Sequence, residues 1–168
     1  MNTLSRERIL IDGSLLSLAM GIIIFGSLIY NARLWLQDYP KEIRAKVPPN
    51  TPQEKRLQRL MMIPFLLFML GVPVYSTYLL RAENGGTISF LSAYLNVFFV
   101  LNLFNLFDAV VIDALVLALM KPKFAILPGT EGMAYLFGDW RLHLKNYVKG
   151  IVFCTVFSLP LALVAQAV

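Results

Sequence analysis

Long apolar runs dominate the chain, and their spacing predicts four membrane-spanning helices. The first covers about 10–30, with no charged residue between Leu15 and Ile29. The second covers about 61–80 and carries Pro64 and Pro73. The third is helix-compatible from Ile88 to Met120, with about 91–119 as its spanning part. The fourth covers about 147–165 and contains Pro160. Each run meets or approaches the roughly 20 apolar residues that cross a bilayer. Prolines are tolerated in such helices as kinks when neighbours satisfy the freed carbonyls. Arg6 and Arg8 ahead of the first run have the look of a secretory leader. The run is longer than the roughly 7–15 residues of a leader core, however, and no small-x-small site follows. A retained anchor is expected.

Polar positions between the runs predict the connections. Two long loops, about 31–60 and 120–146, alternate with a short turn at Asn84-Gly85-Gly86. Thr51-Pro52-Gln53-Glu54 reads as a helix start, with Thr51 and Glu54 forming a capping box and Pro52 at the first helical position. That helix should continue through Lys55, Arg56 and Arg59 into the second span. Pro128-Gly129-Thr130-Glu131-Gly132 reads as a connector turn with Thr130 capping the next helix. The competing reading is an anion cradle of backbone N–H groups, but the lysine and spacing of a P-loop are missing. The expected fold is an all-α integral membrane protein. A single membrane domain, 1–168, holds four transmembrane helices in a bundle, with two long cytoplasmic-side loops.

Composition sharpens this picture. Of 168 residues, 58% are apolar and 15% charged, and the mean hydropathy is +0.67. Soluble domains carry about 45–50% apolar and about 25% charged residues. Disorder is therefore excluded and a soluble globular domain disfavoured. The net charge of +5 is unevenly spread. Loop 31–60 holds seven Lys/Arg (Arg33, Lys41, Arg44, Lys46, Lys55, Arg56, Arg59). The stretch from Lys121 to Lys149 holds five more, and only Arg6, Arg8 and Arg81 lie on the other side. The positive-inside rule then places both loops in the cytoplasm and both termini outside, as in a prokaryotic cytoplasmic membrane. Trp35, Tyr39, Trp140 and Tyr147 flank the spans on that side, where amphipathic rings favour the interface. Lys55, Arg56, Arg59, Arg141 and Lys145 are candidates for holding anionic lipid headgroups. With the basic residues interleaved among apolar runs, no nucleic acid is expected as a partner.

Cys154 and His143 are the sole residues of their types. An intrachain disulfide, a cysteine zinc site and a bis-histidine haem are all excluded within one chain. No metal site is expected, and the sequence names no cofactor.

Candidate chemistry concentrates on the third span. Its polar residues are Asn96, Asn102, Asn105, Asp108 and Asp113. At the α-helical advance of about 100° per residue, Asn102, Asn105, Asp108 and Asp113 share an arc of about 140°, and Asn96 lies off it. A carboxylate facing lipid is costly, so this stripe should face the bundle or a water-filled cavity, where such groups mark ion or proton paths. The alternative is interhelical hydrogen bonding that fixes packing. On that wheel Asp108 and Asp113 are themselves about 140° apart and about 7.5 Å apart in rise, too divergent to act as a dyad. The straight helix from Ile88 to Met120 would measure roughly 48 Å against a hydrocarbon core of about 30 Å, so it must tilt, kink or protrude.

His143 is a second candidate, as a general base or pH sensor, with a polar tip at the headgroups as the simpler alternative. Leu136, Trp140 and Leu144 recur every four residues, which predicts an apolar stripe on an interfacial helix. Asp38, beside the basic run Lys41 to Lys46, could grip a lipid headgroup. Asp108 and Asp113 lack the spacing, glycine and arginine of membrane phosphotransferases that act on activated alcohols. Three function classes remain. The first is ion, proton or small-solute handling through Asn102, Asn105, Asp108 and Asp113. The second is an interfacial enzyme on a lipid or lipid-linked substrate, with Asp108 or Asp113 and His143 as acid or base and Arg141 or Lys145 holding phosphate. The third is a non-catalytic subunit or assembly factor. Four helices are few for a lone transporter, so a homo-oligomer or partner membrane subunit is expected with the first class.

Overall fold

The computed structural model describes residues 4–167. All regular structure in it is helical, and four helices are long and apolar enough to cross a membrane. Helix α1 (Arg6–Asn31) begins where the Ser5 hydroxyl accepts from the Arg8 N–H. It ends where Asn31 turns extended and its side chain accepts from the Arg33 N–H, which starts a 3₁₀ helix over Ala32–Asp38. A short helix α2 (Lys41–Lys46) follows, anchored by buried Ile43. Helix α3 (Pro52–Glu83) opens with the expected capping box: Glu54 N–H donates to Thr51 Oγ1, and Thr51 N–H donates to the Glu54 carboxylate at 2.7 Å. It runs without interruption through Lys55, Arg56 and Arg59 into the second span, so that helix starts nine residues before the apolar run does. Gly85 and Gly86, both at positive φ, make the turn to helix α4 (Phe90–Phe107).

The third span then changes character. From Asp108 to Met120 it is a π-helix, closed by a Lys121 N–H to Val116 carbonyl bond across five residues. Lys121, at φ 47°, takes the left-handed conformation that ends a helix, and Pro122 prevents continuation. The wider turns answer the excess length of this segment without a straight 31-residue α-helix. Two 3₁₀ helices, Lys123–Ala125 and Glu131–Gly138, lead to helix α5 (Trp140–Ala167).

Packing follows the small and polar residues. On α1 the positions Gly13, Leu16, Ser17, Met20, Gly21, Ile24 and Leu28 are buried, a helical stripe one face wide. A Cβ on Gly13 would run into Leu103, which shows how closely α1 and α4 approach. α4 packs against both α1 and α5, and α3 closes the bundle against all three. Arg8 pairs with Glu83, Arg81 donates to the Gln166 carbonyl, and Gln166 donates to the Ile88 carbonyl. These contacts gather the start of α1, the end of α3, the start of α4 and the end of α5 at one end. Both long loops therefore lie at the other.

Asn96, off the polar stripe, is fully buried and donates to Ser76 and Thr77 at 3.0 and 3.1 Å. It joins α4 to α3. Replacing Asn96 with alanine is expected to lower stability by about 0.6–1.7 kcal/mol, the range of interhelical hydrogen bonds in membranes. Denaturation in mixed micelles measures it, and no loss would show that the bond contributes nothing to the bundle.

Candidate functional site

The loop end of the bundle holds a cavity of about 400 Å³. Three separate stretches of chain supply its polar groups. The 3₁₀ helix after α1 brings Asp38, the π-helix brings Asp108 and Asp113, and the first turns of α5 bring His143, Asn146 and Lys149. Trp35, Tyr39, Phe65, Phe104 and Phe137 form aromatic walls. Asp38, Asn146 and Lys149 are exposed at the rim, whereas Asp108, Asp113 and His143 are partly buried.

The π-helix is what puts both aspartates here. Its N–H groups bond five residues back, so residues five apart stack on nearly one face. The divergence of about 140° holds only for α-helical turns, and those end at Phe107. The Asp108 backbone N–H bonds within its helix, but its carboxylate makes no hydrogen bond or ion pair with any described residue. Asp113 Oδ2 stands 3.2 Å from His143 Nδ1. The other imidazole nitrogen, Nε2, lies 2.6 Å from the Phe137 carbonyl oxygen. The Phe137 ring meets Tyr39 edge-on at 5.6 Å between centroids. Tyr39 in turn donates its hydroxyl to the Ala125 carbonyl at 2.8 Å, and burial pushes its phenol pKa up.

The polar stripe on the third span divides. Asn102 donates to the Phe98 carbonyl of its own helix, and Asn105 donates to the Tyr147 carbonyl of α5 at 3.2 Å. Neither lines the cavity; Asp108 and Asp113 do. Lys55, Arg56 and Arg59 are exposed on the first turns of α3. Arg141 and Lys145 are exposed on those of α5, with the Arg141 guanidinium 5.8 Å from the Trp140 ring centroid. All five lie at the loop end, outside the cavity.

Two local expectations are corrected. Thr130 does not cap the following helix; its hydroxyl donates back to the Leu127 carbonyl at 2.7 Å. The Gly129 N–H, the donor of the imagined anion cradle, is taken by the Glu131 carboxylate at 3.0 Å. Hydrogen bonds from its own and the Gly129 backbone hold that exposed carboxyl below its ordinary pKa, and Glu131 does not reach the cavity. The stripe of Leu136, Trp140 and Leu144 does not form either, because Leu136 belongs to a 3₁₀ helix that ends at Gly138, before α5 begins.

Asp38, Tyr39, Asn146 and Lys149 were not placed with the aspartates by sequence. Asp38 read only as a headgroup contact and Lys149 only as loop charge. Their position just past the end of one span and just inside another was the available signal, since it puts them at the loop end with Asp113. Among the described residues no three His, Cys, Asp or Glu side chains stand together so as to hold a metal ion.

The architecture defines a small polytopic membrane protein: an all-helical bundle of four apolar helices with a polar, aromatic-walled cavity at one end. No protein-family model matches the chain, and no curated protein or solved structure matches it.

Proposed function

We propose that this protein takes a lipid-like amphiphile into the loop-end cavity and performs acid–base chemistry on its polar part at the cytoplasmic membrane surface. The single observation that carries the reading is the convergence of Asp38, Asp108, Asp113 and His143 on one aromatic-walled space at the loop end. An interfacial enzyme needs polar groups gathered beside the headgroups, with apolar surface to receive a chain. The cavity volume falls in the range of about 300–1,000 Å³ typical of small-molecule sites. A transport path would have to continue toward the chain termini, where Leu16, Met20, Val97, Val100 and Leu101 are fully buried in the middle of the bundle. The cytoplasmic placement rests on the Lys/Arg imbalance between the two ends. The exposed basic residues Lys55, Arg56, Arg59, Arg141 and Lys145 then face anionic headgroups, which they attract.

Ion or proton handling is the second reading, favoured by the Asp108 carboxylate having no hydrogen-bond or ion-pair partner among the described residues. It would need a second copy or another subunit to complete a path. Thermal unfolding of the purified protein separates the two. An amphiphile bound only by the folded state, present at about 100 times its dissociation constant, adds about 2.7 kcal/mol of apparent stability. Lipids with anionic, zwitterionic and cationic heads, and monovalent cations and protons without lipid, are the probes. A head-selective lipid shift that disappears in Asp108→Asn is the expected result. A cation shift lost in the same variant, with no lipid selectivity, would replace this reading by the second.

A further inference from the structure

One ring nitrogen of His143 is hydrogen-bonded, and the other stands beside a carboxylate. Nε2 lies 2.6 Å from the Phe137 carbonyl oxygen. A carbonyl only accepts, so Nε2 carries a proton. Nδ1 is buried without an aligned hydrogen bond, and Asp113 Oδ2 is 3.2 Å away. Were Asp113 ionised and Nδ1 bare, two acceptors would face each other, the nitrogen shut off from water. An unsatisfied buried polar group is costly, and a buried charge more so. One proton removes the conflict, whether it rests on Nδ1 or on the Asp113 carboxyl. In either arrangement the two side chains together are electrically neutral.

We infer that Asp113 and His143 hold one proton between them and act as positioning residues, which leaves Asp108 as the acid–base group free to meet a ligand. The part assigned to Asp108 rests on the reading of the cavity as a ligand site; the shared proton does not. The pair joins the π-helix to the first turn of α5, and through the Phe137 carbonyl it fixes the 3₁₀ helix Glu131–Gly138. Phe137 is a buried wall of the cavity, so the pair sets the shape of the space that Asp108 faces. The groups around it come from each neighbouring element: Asp108 from the π-helix, Asp38 and Tyr39 from the end of the first span, Asn146 and Lys149 from α5. Tyr39 is bonded away to the Ala125 carbonyl. Asp38 is bonded by Gln37 at 3.1 Å, and Lys149 is exposed at the rim. Among these groups, Asp113 is the one within ion-pair distance of His143.

Because the chain has one histidine, selective ¹⁵N labelling of histidine in the intact protein reports this ring alone. In wild type, Nε2 is expected to show a bonded proton, and Nδ1 a signal displaced from that of an isolated lone pair, either by a bonded proton or by one accepted from Asp113. In Asp113→Asn the amide donates to Nδ1, and its signal should be that of an accepting lone pair, with Nε2 unchanged. A wild-type spectrum with Nε2 bare, or with Nδ1 already at an isolated lone-pair position, overturns the shared proton whether or not any variant folds. Asp108→Asn should leave the histidine spectrum as in wild type while abolishing the lipid-dependent stability shift. A normal histidine spectrum with that shift retained would remove the role given to Asp108 and spare the shared proton.

Discussion

His143→Ala is expected to destabilise the bundle by about 3 kcal/mol, the lower part of the range for removing one partner of a buried pair. Two groups lose their partner at once. Asp113, four-fifths buried by side-chain area, would stand without its imidazole, and the Phe137 carbonyl would lose its donor. Asp113 can take up a proton and so avoid the full cost of a buried charge, which is why the lower figure is the right one. His143→Gln, whose amide can still donate toward Phe137, should lose less. Denaturant titration in mixed micelles gives both numbers. A loss of about 0.5 kcal/mol or less for the alanine variant, as at ordinary surface positions, would mean that water reaches the pair and that Phe137 is held by other contacts.

Gly150→Ala should cost about 1–3 kcal/mol, the usual penalty of overpacking. A Cβ at this position would fall on Asn105 Oδ1, well inside contact distance. Asn105 cannot yield freely, because its amide donates to the Tyr147 carbonyl one turn earlier on α5. Moving it breaks one of the bonds that tie α4 to α5. Asn105→Ala in the same chain opens the space, so the double variant should be more stable than the sum of the two single losses allows. Strict additivity would show that the helices separate instead of colliding. Gly71→Ala is the control: nothing lies within 4 Å of its missing Cβ, and alanine is the better helix former.

Much of this architecture was legible from the residues. The four spans follow from apolar length alone, and the start of α3 from Thr51, Pro52 and Glu54, since a capping box is a local interaction. Asn84-Gly85-Gly86 was readable for the same reason, as two consecutive glycines permit the positive φ that the turn uses. What failed was periodicity. A wheel drawn at α-helical pitch assumes one winding for the whole span, and no residue between Asp108 and Met120 announces a wider one. The pattern Asp-Ala-Val-Val-Ile-Asp is compatible with either winding. The partnership of Asp113 with His143 joins residues thirty positions apart, and neither neighbourhood predicts it. Asp38 reaches the cavity only because the chain leaves α1 in a tight 3₁₀ helix after Asn31. The Thr130 cap failed for a different reason: at ψ 18° Thr130 lacks the extended backbone from which a capping hydroxyl accepts a helix N–H.

The ties among Arg8, Glu83, Arg81, Gln166 and Ile88 have a consequence for how the molecule opens. They fasten the ends of all four long helices opposite the cavity, and the buried middle of the bundle lies just behind them. At the other end the connections are 3₁₀ turns, the short helix α2 and a π-helix around the cavity. Local opening free energies follow contact density and backbone protection. Amide exchange should therefore slow along the bundle from the loops toward the termini, in a gradient that runs parallel to the membrane normal. Such a gradient lets the cavity end breathe on its own while the fold as a whole stays closed.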